Sequence, residues 1–323
     1  MKKLLSLALA VLMLTGLCLA ATSCSSGTYT VGICQQMPHA ALDAATQGFK
    51  DALNEELGEG SVTFIEQNAQ GESTACTTII NDFVTKNVDL ILANATTALQ
   101  AAANGTATIP VLGTSVTEYG TALGIENFDG LVGTNVSGTS DLAPLDQQAA
   151  MILELYPDVQ SVGLLYCSAE ANSAYQVKVV REHLEAAGVT CTDFAFADSN
   201  DIVAVSTAAA AASDVIYIPT DNTAASFAES INGAVLPTGT PIMGGDEGIC
   251  SGCGIATLCI NYYDLGYTTG KMAAKVLKGE EKIAEMPIAY SEKYSKVYNP
   301  VNCAELGVDV AALEAAGYTA IGE

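Results

Sequence analysis

The feature that most constrains the fold of this chain is an alternation of short β-branched runs with amphipathic segments. In the first half of the chain, strand-like runs cover residues 29–34, 61–66, 88–93 and 109–113. The segments between them place apolar residues at helical spacing, as in Leu42, Ala45, Phe49 and Leu53. An alternation of this kind predicts a parallel sheet that is covered by helices on both faces.

The same alternation occurs a second time. Strand-like runs cover residues 161–167, 189–196, 214–219 and 241–245. The segment that begins near Glu170 has apolar residues at helical spacing again. The sequence therefore predicts an α/β protein with two doubly wound parallel-sheet lobes joined by a hinge.

The boundary between the lobes is predicted from two segments. Residues 130–140 are rich in Gly, Asn, Ser and Thr and indicate a crossover with a strand of its own. A later strand-like run leads into a helix predicted over 262–278, where the chain returns to the first lobe. We therefore expect an N-terminal lobe of residues 24–140 plus about 262–290, and a C-terminal lobe of residues 141–261 plus about 291–323. Two lobes with few crossings can close on a ligand.

Composition excludes two classes of protein. Half of the 323 residues are apolar and only 15% are charged, which first suggests a membrane protein. The most apolar stretch after the N-terminus, residues 202–218, is interrupted by Ser206, Thr207, Ser213 and Asp214, so it cannot span a bilayer. The formal net charge of −24 argues against a nucleic-acid partner, because binding to phosphates depends on clustered cations.

The N-terminus has the layout of a secretory signal. Lys2 and Lys3 precede an apolar run over residues 4–14, and small residues follow at 20–23. We therefore expect an exported protein.

Cys24 follows these small residues and resembles the lipid-modified cysteine of a bacterial lipobox. Under this interpretation residues 1–23 are a lipoprotein signal peptide, and Cys24 anchors the protein to the outer face of the cell membrane. The alternative is plain cleavage near Ala20 or Ala21, which would leave Cys24 as a free thiol. Loss of residues 1–23 removes two lysines and no acid, so the charge changes from −24 to −26.

The remaining eight cysteines do not predict a metal site. Cys250 and Cys253 have metal-ligand spacing and Cys259 is close in sequence, but no fourth thiolate or histidine lies nearby. Cys34 and Cys167 lie in strand-like runs, where a free Cys behaves as a small apolar residue. We expect no metal and no cofactor, and the sequence leaves a disulfide open.

The ligand site is predicted from the segments that directly follow the strands, because ligands of open parallel sheets bind at the carboxyl ends of the strands. The candidate residues are Gln35, Asn94, Thr96, Thr97, Ser115, Glu170, Asn172, Ser173, Asp221, Asn222 and Asp246. None of these segments contains a Lys or Arg. A doubly anionic ligand is therefore disfavoured, because such ligands are usually held by cations.

The two groups of candidates differ in chemistry. Thr96 and Thr97 begin a predicted helix, whose N-terminus could hold one carboxylate with help from Ser115. The carboxylates of the second lobe, at Glu170, Asp221 and Asp246, suit an ammonium group. Together they would bind a zwitterion. The alternative is that these residues are ordinary helix caps.

Six runs of the chain resemble those of the bacterial ABC-importer substrate-binding lipoproteins of the tryptophan/tyrosine type. The runs cover residues 38–49, 68–71, 88–97, 219–223, 244–248 and 264–275. The resemblance implies a type-I periplasmic-binding fold and a monomer that captures a small amino acid, of the aromatic kind, between its lobes. It also implies delivery to an ABC permease with its ATPase.

Carried over by position, the resemblance assigns roles to the same candidates. Thr96, Thr97 and Ser115 correspond to the carboxylate side of the ligand. Glu170, Asn172 and Ser173 correspond to a closing loop, and Asp221, Asn222 and Asp246 to polar contacts from the second lobe. Since the chain has no Trp, an aromatic ligand would stack on Tyr or Phe, with Tyr119 and Tyr175 as candidates, or on neighbouring apolar walls.

Two other functions are open alternatives. The first is a ligand-sensing receptor for another small polar molecule such as a sugar or nucleoside. The second is a thiol or carboxylate enzyme, which is disfavoured because no base and orienting group accompany Cys34 or Cys167.

Overall fold

The computed structural model describes residues 28–291 and 293–321 and contains two sheets. The predicted signal peptide and Cys24 lie outside these residues. No helix in the described ranges combines the length and apolarity that a membrane crossing requires.

The first sheet is parallel throughout and has the order β11-β5-β4-β3-β1-β2. Its strands are β1 (Tyr29–Gln35), β2 (Val62–Asn68), β3 (Leu90–Asn94), β4 (Val111–Val116), β5 (Val136–Ser140) and β11 (Ala289–Tyr290). Its helices are α1 (Ala40–Leu57), α2 (Ser73–Thr85), α3 (Thr96–Gly105), α4 (Tyr119–Leu123) and α11 (Tyr262–Leu277).

Both faces of this sheet are buried, which explains its nearly continuous apolar strands. On one face Leu90 and Leu92 pack with Phe49 of α1 and Met272 of α11. On the other face Ile91 and its neighbours pack against α2 and α3. The strand residues therefore alternate between two apolar cores.

The second sheet has the order β13-β12-β10-β9-β8-β6-β7. Its strands are β6 (Ser161–Cys167), β7 (Thr190–Phe196), β8 (Val215–Ile218), β9 (Ile242–Gly244), β10 (Ala256–Cys259), β12 (Ser295–Tyr298) and β13 (Thr319–Ala320). Its helices are α5 (Leu145–Leu155), α6 (Ala171–Ala186), α7 (Ile202–Ala212), α8 (Asn222–Ser226), α9 (Ala228–Val235), α10 (Glu247–Gly252), α12 (Pro300–Glu305) and α13 (Val310–Ala315). The sequence predicted a sheet that is parallel throughout, but β12 pairs antiparallel with β10.

The two sheets with their helices form the two α/β lobes that the sequence predicted. The chain passes between the sheets after β5, after β10 and after β11. We propose that residues 28–140 with 262–290, and residues 141–261 with 293–321, each move as one body.

The eight cysteines between residues 34 and 303 are free thiols, and all except Cys191 are buried. No group of three or more His, Cys, Asp or Glu side chains in the described ranges could hold a metal ion. Cys253 and Cys259 each contact a nearby backbone carbonyl through sulfur. They therefore behave as small buried side chains, as expected for free thiols inside a core.

Candidate functional site

The carboxyl ends of the two sets of strands face each other, and the lobes touch along the rim of the cleft between them. The imidazole Nε2 of His39, which precedes α1, lies 3.1 Å from Oδ1 of Asn222 at the start of α8. Close by, the Ser226 hydroxyl donates to the backbone carbonyl of Pro38 over 3.3 Å. These two contacts join the first lobe to the second, so the cleft is closed in this structure.

In the first lobe, Gln35 and Asn94 hold α1 on the strand ends. Gln35 Nε2 donates to Asp43 Oδ1 over 2.7 Å, and its Oε1 accepts from the Thr46 hydroxyl over 2.7 Å. Asn94 Nδ2 donates to the carbonyl of Leu42 over 2.8 Å and to Thr46 Oγ1 over 2.9 Å. Asn94 Oδ1, in contrast, is a buried acceptor without a partner. Gln35 therefore supports the wall, while Asn94 also has a buried oxygen without a partner.

Two residues at the ends of neighbouring strands have strained backbones. Ala95 after β3 has φ 88° and Ser115 in β4 has φ 56°. The Ala95 N–H donates to the carbonyl of Thr114 over 3.0 Å, which places the two strained positions side by side. The Ser115 hydroxyl is buried and has no partner. Strain of this kind in residues other than Gly is typical of functional sites.

The N-terminus of α3 lies at the same strand ends. Ala95 precedes the helix and supplies no side-chain cap. The Thr97 N–H donates to Gln36 Oε1 over 3.2 Å, and the buried Thr96 begins the helix. Exposed N–H groups and the helix dipole favour a carboxylate at such a position.

In the second lobe, the carboxylate of Glu170 is fully engaged by the start of α8. One oxygen accepts from the N–H of Thr223 at 2.9 Å and from its hydroxyl at 2.8 Å. The other accepts from the N–H of Asn222 at 3.1 Å and from its Nδ2 at 2.7 Å. Glu170 therefore caps a helix that lies 52 residues further along the chain.

Asp221 and Asp246 are N-caps of their own short helices. Asp221 accepts from the N–H of Ala224 and the N–H of Cys167, each over 2.7 Å. Asp246 accepts from the N–H of Ile249 over 2.9 Å. For all three acids of this wall, the structure supports the helix-cap alternative over a free carboxylate that waits for an ammonium group.

Asn172 and Ser173 lie beside these caps at the start of α6. Asn172 Nδ2 donates to the carbonyl of Thr220 over 3.1 Å, whereas its Oδ1 is buried without a partner. Ser173 is fully buried and hydrogen-bonds to the carboxylate of Asp221. The predicted residues of the second lobe are thus brought together, and Asn172 presents the free polar atom among them.

The network determines the tautomer of His39. Because Asn222 donates its Nδ2 to Glu170, its Oδ1 faces His39 and must accept from Nε2–H. The other ring nitrogen, Nδ1, is then an acceptor, and it is buried without a partner. Burial lowers the pKa of His39 below its usual 6.5, so the ring is neutral at pH 7.

The sequence prediction missed two residues at the floor of the cleft. Asp141 directly follows β5, and the hydroxyl of Tyr262, the first residue of α11, donates to its carboxylate over 2.9 Å. Asp141 occupies a strand end like the predicted residues, so the same positional signal could have found it.

Tyr119 lies in the first-lobe core, and its hydroxyl donates to the carbonyl of Thr139 over 3.0 Å, so it offers no stacking surface to a ligand.

The buried acids make the stability of the ligand-free protein depend on pH. Burial and then the charge of Glu170 raise the pKa of Asp221 to about 8, and burial raises the pKa of Asp246 to about 7. From the unfolded value of 3.8 up to these pKa values, the folded state binds more protons than the unfolded state. Stability from these groups is therefore lost as pH rises.

We expect the melting temperature to fall between pH 6.5 and 8.5. The range begins at the unfolded pKa of His39, whose titration acts with the opposite sign and is largely complete in the upper part of the range. Asp246→Asn keeps the cap oxygen and removes the titration, so it should flatten the slope in differential scanning fluorimetry. Equal slopes in both proteins would contradict the raised pKa of Asp246.

The chain matches known proteins over most of its length. The family model of ABC transporter substrate binding proteins matches residues 30–314. A curated relative, a tyrosine-binding protein of Clostridioides difficile, is 30% identical over 271 residues, which are 83% of this chain and 78% of that protein.

Two solved structures are similar to this chain. An ABC domain from Streptococcus pneumoniae in complex with L-Trp has 32% identity and a TM-score of 0.85, covering 91% of this chain and 100% of that one. The ligand-free, open structure of a substrate-binding protein from Clostridium difficile has 31% identity but a TM-score of 0.68, covering 90% and 99%. At nearly equal identity, the structure of this chain is thus more similar to that of the tryptophan complex.

These findings confirm the predicted type-I periplasmic-binding fold and the family resemblance. The chain belongs to the family of ABC transporter substrate-binding proteins.

Proposed function

We propose that this protein captures a small amino acid of the aromatic kind between its lobes and delivers it to an ABC permease with its ATPase. The observation that carries the proposal is a set of buried polar atoms without intramolecular partners around the closed cleft. They include Asn94 Oδ1, Ser115 Oγ, Asn172 Oδ1 and His39 Nδ1. Each unpaired buried group costs about 1–3 kcal/mol, and these four belong to residues at strand ends or helix starts, where a bound ligand would satisfy them.

The relatives support the class of ligand. A protein described as tyrosine-binding and a structure that contains L-Trp both share 30–32% identity with this chain over most of its length. The first-lobe wall fits the carboxylate of such a ligand, because the α3 N-terminus at Thr96 and the free hydroxyl of Ser115 lie at neighbouring strand ends. The cleft walls contain no lysine or arginine that would favour a second negative charge.

Binding without chemistry is the proposed activity. Burial raises the pKa of the Cys167 thiol to about 11, and the Cys34 side chain is fully buried. Protonated thiols are poor nucleophiles, which argues against the enzyme alternative.

We also propose that the protein works as a monomer on the outer face of the cell membrane, anchored through Cys24. Proteins of this family are extracytoplasmic, and the sequence up to Cys24 has the layout of a lipoprotein signal. Such an anchor would keep the protein close to its permease.

A thermal-shift panel tests the ligand class. We expect L-Trp or L-Tyr to raise the melting temperature by several degrees, since a ligand at 100 times its Kd adds about 2.7 kcal/mol. Sugars, nucleosides, dicarboxylates and divalent metal ions serve as the comparison set and should have no effect. Stabilisation by a sugar or nucleoside and by no amino acid would sink the proposal in favour of the receptor alternative.

A further inference from the structure

Asp141 differs from the other acids of the cleft because one of its carboxylate oxygens is unused. Glu170, Asp221 and Asp246 accept hydrogen bonds from backbone N–H groups at helix N-termini. Asp141 is 3% exposed, and its Oδ2 accepts from the hydroxyl of Tyr262. The side chain of Thr117 and the N–H of Asp141 itself also hydrogen-bond to this carboxylate. Its Oδ1 is buried without a hydrogen-bond partner.

The position of Asp141 places it between the lobes. It follows β5 at one crossing of the chain, and its N–H donates to the carbonyl of Val116 at the end of β4 over 3.2 Å. Tyr262 lies at another crossing, and its hydroxyl also hydrogen-bonds to Thr220 at the end of a second-lobe strand. The Asp141 carboxylate is thus at the floor of the cleft, where the strand ends of both lobes meet.

The described residues supply no cation to this carboxylate. The ion pairs in the described part of the chain lie at the surface, and none includes Asp141. Asp246 is its electrostatic neighbour and would add a second negative charge rather than compensate the first. A buried carboxylate is tolerated when a positive group with hydrogen-bond donors compensates it.

We propose that Asp141 Oδ1 accepts a hydrogen bond from the protonated amino group of the ligand, while Tyr262 holds the carboxylate from the other side. This inference rests on the proposed function and deepens it. The ligand must carry a free ammonium group, so the site distinguishes an amino acid from the corresponding deaminated acid. The amine-recognition role thus falls to Asp141 instead of the three capping acids.

The test combines two ligands with matched variants. Isothermal titration calorimetry compares L-Trp with 3-indolepropionate, which has the same ring and carboxylate but no amino group, on wild type, Asp141→Asn and Asp246→Asn. We expect wild type to prefer L-Trp by about 10- to 100-fold, the factor of one charge-assisted hydrogen bond. Asp141→Asn should lose this preference and bind 3-indolepropionate at least as well as wild type does. Asp246→Asn, which keeps its cap oxygen, should retain the preference.

The outcomes separate the inference from the proposed function. If wild type binds neither L-Trp nor L-Tyr, the proposed function fails and the inference fails with it. If wild type binds L-Trp and Asp141→Asn keeps the preference, the inference alone is wrong. Loss of the preference in Asp246→Asn instead would assign the amine to Asp246 and overturn the inference.

Folding of the variant is checked independently. Removal of an uncompensated buried charge should leave the melting temperature of ligand-free Asp141→Asn unchanged or higher. Tyr262→Phe is a milder second variant, because it removes only one hydroxyl, which hydrogen-bonds to Asp141 and to Thr220. It should weaken L-Trp binding several-fold and leave 3-indolepropionate binding unchanged. Equal losses for both ligands would mean that this hydroxyl acts on the cleft as a whole, which contradicts the inference.

Discussion

Gly266→Ala is expected to lower the free energy of unfolding by about 3 kcal/mol, because α11 packs backbone to backbone against α1. A Cβ at Gly266 would overlap the carbonyl oxygen of Ala45, and one at Gly270 would lie 2.5 Å from the carbonyl oxygen of Phe49. Both contacts involve backbone atoms of a buried helix, which cannot rotate away as a side chain can. The helices must therefore separate, and the apolar core beneath them must open.

Gly233→Ala is the matched control for this change. Gly233 lies in α9, and a Cβ built there meets nothing within 4 Å. The same substitution should therefore stabilise the protein by about 0.5–1 kcal/mol, the usual advantage of Ala over Gly in a helix. Urea denaturation followed by circular dichroism measures both variants. If Gly266→Ala is as well tolerated as Gly233→Ala, the close packing of α1 and α11 is wrong.

The fold was largely predictable because its strands are buried on both faces. Such strands must be nearly continuous apolar runs, and the intervening helices must cover them, so the pattern in the sequence is strong. The helix predicted over 262–278 is found at Tyr262–Leu277. The antiparallel pairing of β12 with β10 was not predictable in the same way, since a four-residue strand carries little periodic signal.

The positions of the candidate site residues were more predictable than their roles. Residues that follow parallel strands must lie at one edge of the sheet, and the structure has Ser115 near the end of β4 and Asn172 at the start of the helix after β6. Whether a carboxylate is free depends on partners distant in the sequence, as when Glu170 binds the start of a helix 52 residues away. Asp141 was missed because the strand before it was interpreted only as a crossover between lobes.

Glu170→Gln is expected to destabilise the second lobe and to weaken closure on the ligand. The carboxylate accepts hydrogen bonds from the backbone N–H and side-chain amide of Asn222 and from the backbone N–H and hydroxyl of Thr223. In glutamine an NH₂ group replaces one of the two accepting oxygens. This NH₂ group would face the N–H donors of α8, so at least one buried N–H loses its acceptor. The expected cost is about 3 kcal/mol in the free energy of unfolding.

The effect should extend to binding, because Glu170 orients the amide of Asn222 toward His39 across the cleft. Without that orientation the contact between the lobes is weakened, and the closed state loses population relative to the open state. Glu182→Gln makes the same chemical change at an exposed position of α6, the helix that Glu170 directly precedes. It should leave both stability and affinity unchanged. Urea denaturation and calorimetry with L-Trp measure the two effects. Should Glu170→Gln lower affinity at unchanged stability, Glu170 would contact the ligand directly, and its role as the cap of α8 would be secondary.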